Sequence, residues 1–292
     1  GYDYSRLQNP TRQVVEEKMA DLENGVDCIA FSTGMAAITV MMELFQIGDH
    51  LIVSNDLYGG TRRLFDHIST KNGLTFDVVN TSYIEEIEQK INPNTKAIFI
   101  ETPTNPMMQV TDIQKVSSFA KKHHCLCIVD NTFLTPYFQK PILLGADLVI
   151  HSGTKFLCGH NDTLSGFLVS GNEELAEKLR FLSKTVGACL SPFDSWLVNR
   201  GIKTLGIRME AQQKTAMALA EWLETEEKVK KVFYVGLKSH PDYEISCKQA
   251  TGFGSMISFF VDSEETAKQV LSRVQLILFA ESLGGVESLI TY

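Results

Sequence analysis

The chain has 292 residues, 44% hydrophobic, 21% charged and 9% aromatic, proportions that exclude disordered and collagen-like classes and suit one large domain with a smaller one. Its 27 basic and 35 acidic residues give a formal net charge of -8, and no stretch gathers Lys and Arg onto one face, so no nucleic-acid partner is expected. No apolar run reaches the roughly 18–20 residues of a membrane helix, so no membrane partner is expected either.

The first dozen residues, from Tyr2-Asp3-Tyr4 through Asn9-Pro10-Thr11-Arg12, are polar and aromatic without period, and residues 1–12 read as an extended arm. Helical spacing begins near Val14 and stops at Asn24-Gly25. Short apolar runs then alternate with longer amphipathic ones. The runs are Cys28–Phe31, His50–Val53, Phe76–Val79, Ala97–Ile100, Leu126–Val129, Leu148–Ile150 and Gly166–Val169, with helix-like stretches such as Ile113–His123 between them. Nearly continuous apolar strands alternating with helices predict an α/β domain, 13–213, whose sheet is covered on both faces.

One long amphipathic helix is expected from Ser195 to Leu223, linking this domain to a second lobe at 214–292. The acidic residues Glu224, Glu226 and Glu227, beside Lys228, Lys230 and Lys231, read as a solvated helix end. The second lobe holds a strand from Ser255 to Val261, a helix from Glu264 to Val274 and a strand from Gln275 to Phe279. It is small for its apolar content and is expected to be incomplete. The six cysteines, Cys28, Cys125, Cys127, Cys158, Cys189 and Cys247, form no C-x-x-C pair, so no zinc or dithiol centre is expected. Cys125 and Cys127 read as buried thiols, and the usage suits a reducing, cytoplasmic setting.

In open parallel sheets ligands bind at the carboxyl ends of the strands. Three apolar runs end there in polar residues: Glu101, with Asn105 beyond it; Asp130-Asn131; and His151-Ser152-Gly153-Thr154-Lys155. One crevice is expected to receive them all. Asp130 suits the partner of a pyridinium nitrogen, because a carboxylate there keeps that nitrogen protonated; the plain alternative is a helix cap. Lys155 is a candidate Schiff-base amine, or else a surface lysine; the hydroxyls of Ser152 and Thr154 beside it suit a phosphate ester.

The turn Phe31-Ser32-Thr33-Gly34-Met35 leads from a strand into a helix and suits an anion, although such a turn is a weak signal alone. No nucleotide-type glycine motif is present, which disfavours a nucleotide-binding reading. Tyr58, followed by Gly59-Gly60-Thr61, can stack on a cofactor ring or serve as an ordinary turn aromatic. His160 and Asp162 have no third ligand nearby and read as a structural loop; no metal is expected.

Taken in order, several motifs resemble the Cys/Met-metabolism family of pyridoxal-phosphate enzymes. They are Tyr4-Ser5-Arg6, Ser32-Thr33-Gly34-Met35-Ala36-Ala37, Tyr58-Gly59-Gly60-Thr61, Glu101-Thr102-Pro103-Thr104-Asn105-Pro106, Val129-Asp130-Asn131-Thr132, Ser152-Gly153-Thr154-Lys155 and Ala280-Glu281-Ser282-Leu283-Gly284-Gly285. The resemblance implies the aspartate-aminotransferase-like fold, fold type I, and pyridoxal 5'-phosphate as cofactor. It implies that Lys155 carries the cofactor and shuttles protons, that Asp130 pairs with the ring nitrogen, and that Tyr58 stacks on the ring and acts on the substrate.

By the same resemblance Gly34, Met35, Ser152 and Thr154 hold the phosphate and Asn105 meets the ring oxygen or substrate carboxylate. Tyr4 and Arg6 serve the phosphate of a neighbouring subunit, so a homodimer or homotetramer with shared sites is implied. The substrate is a small amino acid, met by Arg63, Glu281 and Ser282; the family's carboxylate-binding Arg lies beyond Gly284-Gly285. Gly60 stands where methionine gamma-lyases resemble one another in having Cys. Glu281 and Arg63 resemble the gamma enzymes, cystathionine gamma-synthase and gamma-lyase, with cystathionine beta-lyase and O-acetylhomoserine sulfhydrylase as alternatives. A non-catalytic binding protein has no physical need for Lys155, Asp130 and Tyr58 together.

Overall fold

The computed structural model describes residues 1–292. The seven apolar runs all become strands: β1 (Asp27–Phe31), β2 (His50–Ser54), β3 (Thr75–Val79), β4 (Thr95–Glu101), β5 (Leu126–Asp130), β6 (Leu148–Ser152) and β7 (Gly166–Ser170). They form one sheet in the order β1-β7-β6-β5-β4-β2-β3. Only β7 runs antiparallel to its neighbours; the other pairings are parallel.

Helices α1 (Pro10–Glu23), α2 (Gly34–Met42), α3 (Gly59–Leu64), α4 (Ile84–Lys90), α5 (Ile113–Lys122), α6 (Thr135–Phe138) and α7 (Glu173–Val186) are interleaved with these strands. Successive residues of a strand face opposite sides, and the core divides accordingly. Val129, Val149 and Val169 pack with Val15 and Met19 of α1 and Val116 of α5. Ile128, Ile150 and Leu168 pack with Ile38 and Met41 of α2 and Leu179 of α7. Each such side chain contributes roughly 1.5–3 kcal/mol on burial; burial on both faces is why the runs are apolar without alternation.

Three boundaries differ from the sequence expectation. The arm ends at residue 9, because Asn9 Oδ1 accepts from the Thr11 and Arg12 amides and Pro10 opens α1 with no amide to leave unbonded. The stretch expected as one helix is two, α8 (Pro192–Ile202) and α9 (Leu205–Leu223). Thr204, at φ -108 and ψ 7 outside both helical and extended geometry, accepts from Arg208 Nε at 3.1 Å and turns the chain between them. The expected lobe boundary at 213/214 lies inside α9.

Beyond α9 the chain forms β8 (Val229–Phe233), α10 (Tyr243–Gln249), β9 (Ser258–Val261), α11 (Glu264–Arg273), β10 (Leu278–Phe279) and β11 (Leu289–Ile290). β9 and β10 are shorter than expected. β10 pairs in parallel with β11, a strand that sequence periodicity did not suggest. All six cysteines are free, with Cys125 and Cys127 buried. No helix is long and apolar enough to cross a membrane.

Candidate active site

Register brings the strand ends together. Glu101 at the end of β4 stands opposite Asp130 at the end of β5, and Asp130 opposite Ile150 of β6. Alternation puts Glu101, Asp130 and Ser152 on the α2 face. Asn131, just after Asp130, and His151, just before Ser152, turn to the α1 face and are fully buried against Glu23. The expected single crevice therefore receives Glu101, Asp130, Ser152 and the turn holding Lys155, but neither Asn131 nor His151.

Thr132 joins the two central strand ends. Its hydroxyl donates to Asp130 Oδ1 at 2.6 Å and accepts from the Ser152 amide at 2.9 Å, and its own amide donates to the same Oδ1 at 3.0 Å. Asp130 thus makes the cap-like turn of the plain reading with Oδ1 alone, and Oδ2 is left to another partner. Burial raises the Asp130 carboxyl above its ordinary range, while the Thr132 bonds and the charge of His151 oppose that shift.

On the phosphate side, Thr33 caps α2 by accepting from the Ala36 amide at 2.9 Å. A Cβ at Gly34 would stand 3.0 Å from Ser152 Cβ and 3.2 Å from Ser152 Oγ. A side chain at 34 would crowd Ser152 and push the positive end of α2 away from its hydroxyl by a few tenths of an ångström. Thr154 Oγ1 donates to the Ser165 carbonyl at 3.2 Å and accepts from the Ser165 amide at 3.1 Å, so this hydroxyl braces its own turn.

Tyr58 is about half exposed, at 47%, and its amide donates to Glu101 Oε2 at 2.9 Å. Burial first, and Asp130 second, push the Glu101 carboxyl well above its ordinary range, with the Tyr58 and Asn105 amides opposing. Met35 Sδ and the Tyr58 ring both border Gly60, so the α2 and α3 starts meet. Arg63 is exposed on α3, near Gly59.

Lys155 is half-buried, and that burial lowers its amine below the ordinary lysine value. Its turn is held from two directions. Arg208 donates to the Phe156 carbonyl at 2.7 Å and to the Gly201 carbonyl at 2.9 Å. Gly284, at φ +83, lies where a Cβ would stand 2.9 Å from Lys155 Cα and 2.5 Å from the Phe156 amide nitrogen. This docking brings the exposed Glu281 and Ser282 toward the Lys155 turn from the far end of the chain. Tyr4 and Arg6 are directed elsewhere: Arg6 donates to the Lys184 carbonyl and lies 5.2 Å over the Tyr4 ring.

Sequence reasoning placed Glu101 in the crevice without a chemical role and assigned none to Thr132 or Arg208. Thr132 directly follows the Asp-Asn strand end and was legible as a turn hydroxyl; Arg208 lay in a stretch read as uninterrupted helix, with no signal of its target. His160 Nδ1 donates to the Cys158 carbonyl at 2.7 Å within a loop that passes through Asn161 at φ 54.

A half-buried amine of lowered basicity, a carboxylate with one free oxygen and a glycine-lined helix start beside a free hydroxyl fit an aldehyde, a ring nitrogen and a phosphate in turn. Fold and site together define a pyridoxal-phosphate enzyme. The family model described as Cys/Met metabolism PLP-dependent enzyme matches residues 1–292, and the chain belongs to that family.

Cystathionine beta-lyase of Lactococcus lactis subsp. cremoris is 50% identical over 289 residues, 99% of this chain and 76% of that protein. Cystathionine gamma-lyase of Bacillus subtilis is also 50% identical, over 291 residues, 100% of this chain and 77% of the relative. The crystal structure of cystathionine gamma-lyase from Lactobacillus plantarum complexed with L-serine superposes with a TM-score of 0.98 at 44% identity, covering 99% of this chain and 76% of that one. The protein is an enzyme of sulfur amino acid metabolism that uses pyridoxal phosphate and acts on an amino acid.

Proposed function

We propose that this trans-sulfuration enzyme makes or breaks the gamma carbon-sulfur bond of cystathionine or a related homoserine derivative, as gamma-lyases and gamma-synthases do. The observation that carries the reading is the Lys155 amine, half-buried and depressed in basicity on a turn shared with Ser152 and clamped by Gly284. Pyridoxal phosphate, when bound, supplies an electron sink for the bonds around the substrate's amino-bearing carbon.

Lys155 Nζ would hold the cofactor, and as a free amine it would take the alpha proton and then a beta proton. The Asp130 carboxylate would hold the proton on the ring nitrogen. Ser152 Oγ, the amides of Gly34 and Met35, and the Thr154 turn hold the phosphate. Tyr58 would cover the ring and serve the substrate amine or the leaving group, and Asn105 would meet the ring oxygen or substrate carboxylate. Arg63, Glu281 and Ser282 meet the substrate. Loss of the gamma substituent followed by water leads to a keto acid and ammonia; capture by cysteine thiol leads to cystathionine.

Tyr4 and Arg6, exposed and directed away from this chain's Lys155, complete the phosphate site of a partner subunit in a homodimer or homotetramer. Six free thiols suit a reducing, cytoplasmic compartment. Cystathionine beta-lyase is the second reading, favoured by equal identity to relatives of both names; sulfhydrylase is another alternative.

Incubation with cystathionine separates the first two readings. Cysteine, 2-oxobutanoate and ammonia support gamma cleavage, whereas homocysteine, pyruvate and ammonia support beta cleavage. A colourless protein after cofactor addition, with no borohydride-trapped adduct on Lys155, overturns the enzyme assignment for this chain.

A further inference from the structure

Behind the site, on the opposite face of the sheet, Glu23 and His151 are each 0% exposed. His151 Nε2 donates to Glu23 Oε1 at 2.5 Å, and Asn131 Nδ2 donates to the same oxygen at 3.0 Å. Two donors converging on one oxygen suit an ionised carboxylate, which only accepts. A carboxylate removed so completely from water needs a positive partner, and His151 is the one basic side chain in contact with it. Gln139 closes the cluster through the Asn131 side chain, at 2.9 Å. Glu23 Oε2 and His151 Nδ1 have no hydrogen-bond partner.

The place of the pair in the register gives it a target. Asp130 pairs with Ile150, so His151 is the next residue on the adjacent strand. Asp130 has the buried carboxyl of Glu101 beside it from β4 and Thr132 beside it from its own turn, while His151 of β6 lies on the other face of the sheet and acts on the Asp130 carboxylate through its charge alone. Of these, Glu101 opposes a second negative charge, Thr132 is neutral, and His151 alone brings positive charge.

Resting on the cofactor reading above, we propose that Glu23 and His151 are a buried positioning pair: Glu23 keeps His151 cationic, and that cation, through the sheet, sets the charge Asp130 presents to the cofactor's ring nitrogen. Glu23→Gln tests this, since the glutamine oxygen still accepts from Asn131 and His151 while the charge is gone. With less charge on Asp130 the ring nitrogen holds its proton less firmly, and the nitrogen linking the cofactor to Lys155 becomes more basic.

The visible absorbance band of the holoenzyme, titrated against pH, is expected to move its midpoint up by about half a unit or more in Glu23→Gln. Glu23→Asp, which restores the charge, is expected to return it toward the native value. An unchanged midpoint in folded Glu23→Gln overturns the proposal. Should that variant fail to fold, the native protein decides the matter by nitrogen-15 NMR of its histidines: His151 doubly protonated at about pH 8 supports the pair, and a neutral ring overturns it. Borohydride trapping on Lys155 tests the cofactor reading separately, so the two can fail independently.

Discussion

Gly60 lies against the ring of Tyr58: a Cβ built on it would stand 2.5 Å from Tyr58 Cε1 and 3.0 Å from Met35 Sδ. The ring occupies space that any side chain at position 60 would claim, so glycine here sets where the proposed stacking residue rests. A Cys at 60, the methionine gamma-lyase pattern, requires a different Tyr58 position.

Gly60→Ala is therefore expected to displace the Tyr58 ring and lower kcat/KM by about tenfold to a hundredfold. Stability changes little, by under about 1 kcal/mol, because alanine favours the helix and the displaced ring is half exposed. Steady-state kinetics beside thermal unfolding checks both; a fall in melting temperature that accounts for the lost activity speaks against a Tyr58 role.

Glu101 carries a pH dependence. Its carboxyl is raised in the folded protein, chiefly by burial and next by Asp130. Such a group contributes stability that is full below the ordinary glutamate range and is lost as pH rises through the folded value. Glu101→Gln is expected to stabilise the cofactor-free protein at about pH 8, on the order of 1 kcal/mol, and to leave it unchanged at about pH 4. Melting curves at the two pH values give the sign.

Arg208 is buried and donates to the Gly201 carbonyl near the end of α8 and to the Phe156 carbonyl of the Lys155 turn. Arg208→Leu leaves the Phe156 carbonyl unpaired, while the Gly201 carbonyl keeps the Thr204 amide, a loss of about 1–3 kcal/mol. Urea unfolding is the measure, and cofactor affinity is expected to weaken in parallel because the Lys155 turn loses its brace.

Sharing of the site between subunits gives a complementation test. Lys155→Ala is expected to lower turnover by about a thousandfold or more, and Arg6→Ala to weaken cofactor retention. Co-refolding the two variants as a random dimer is expected to restore about a quarter of native activity, from mixed dimers with one intact site. No recovery on mixing shows that Arg6 serves its own chain.

Much of this was legible from residue order. Lys155 and Asp130 were singled out because polar residues directly after buried runs fall at the ligand-binding edge. What the strand-end rule left out was side: Asp130 and Asn131 are neighbours in sequence, yet one faces the crevice and the other Glu23. The break at Thr204 was hidden because it uses a side-chain bond from Arg208 rather than Gly or Pro. Likewise β11 is two residues long and owes its pairing to β10, not to any periodicity of its own.

By itself the sequence determined the seven strands, since unbroken apolar runs of that length can be satisfied only inside a sheet covered on both faces. It also determined the chemistry available at their ends. Only the tertiary structure decided which of those polar groups meet. Gly284 reaches Lys155 across 129 positions of chain, and α1, by covering one face, turns Glu23 and His151 into a buried pair behind Asp130. Such contacts depend on which helix packs on which face, a property of the assembled layers that no local run of residues contains.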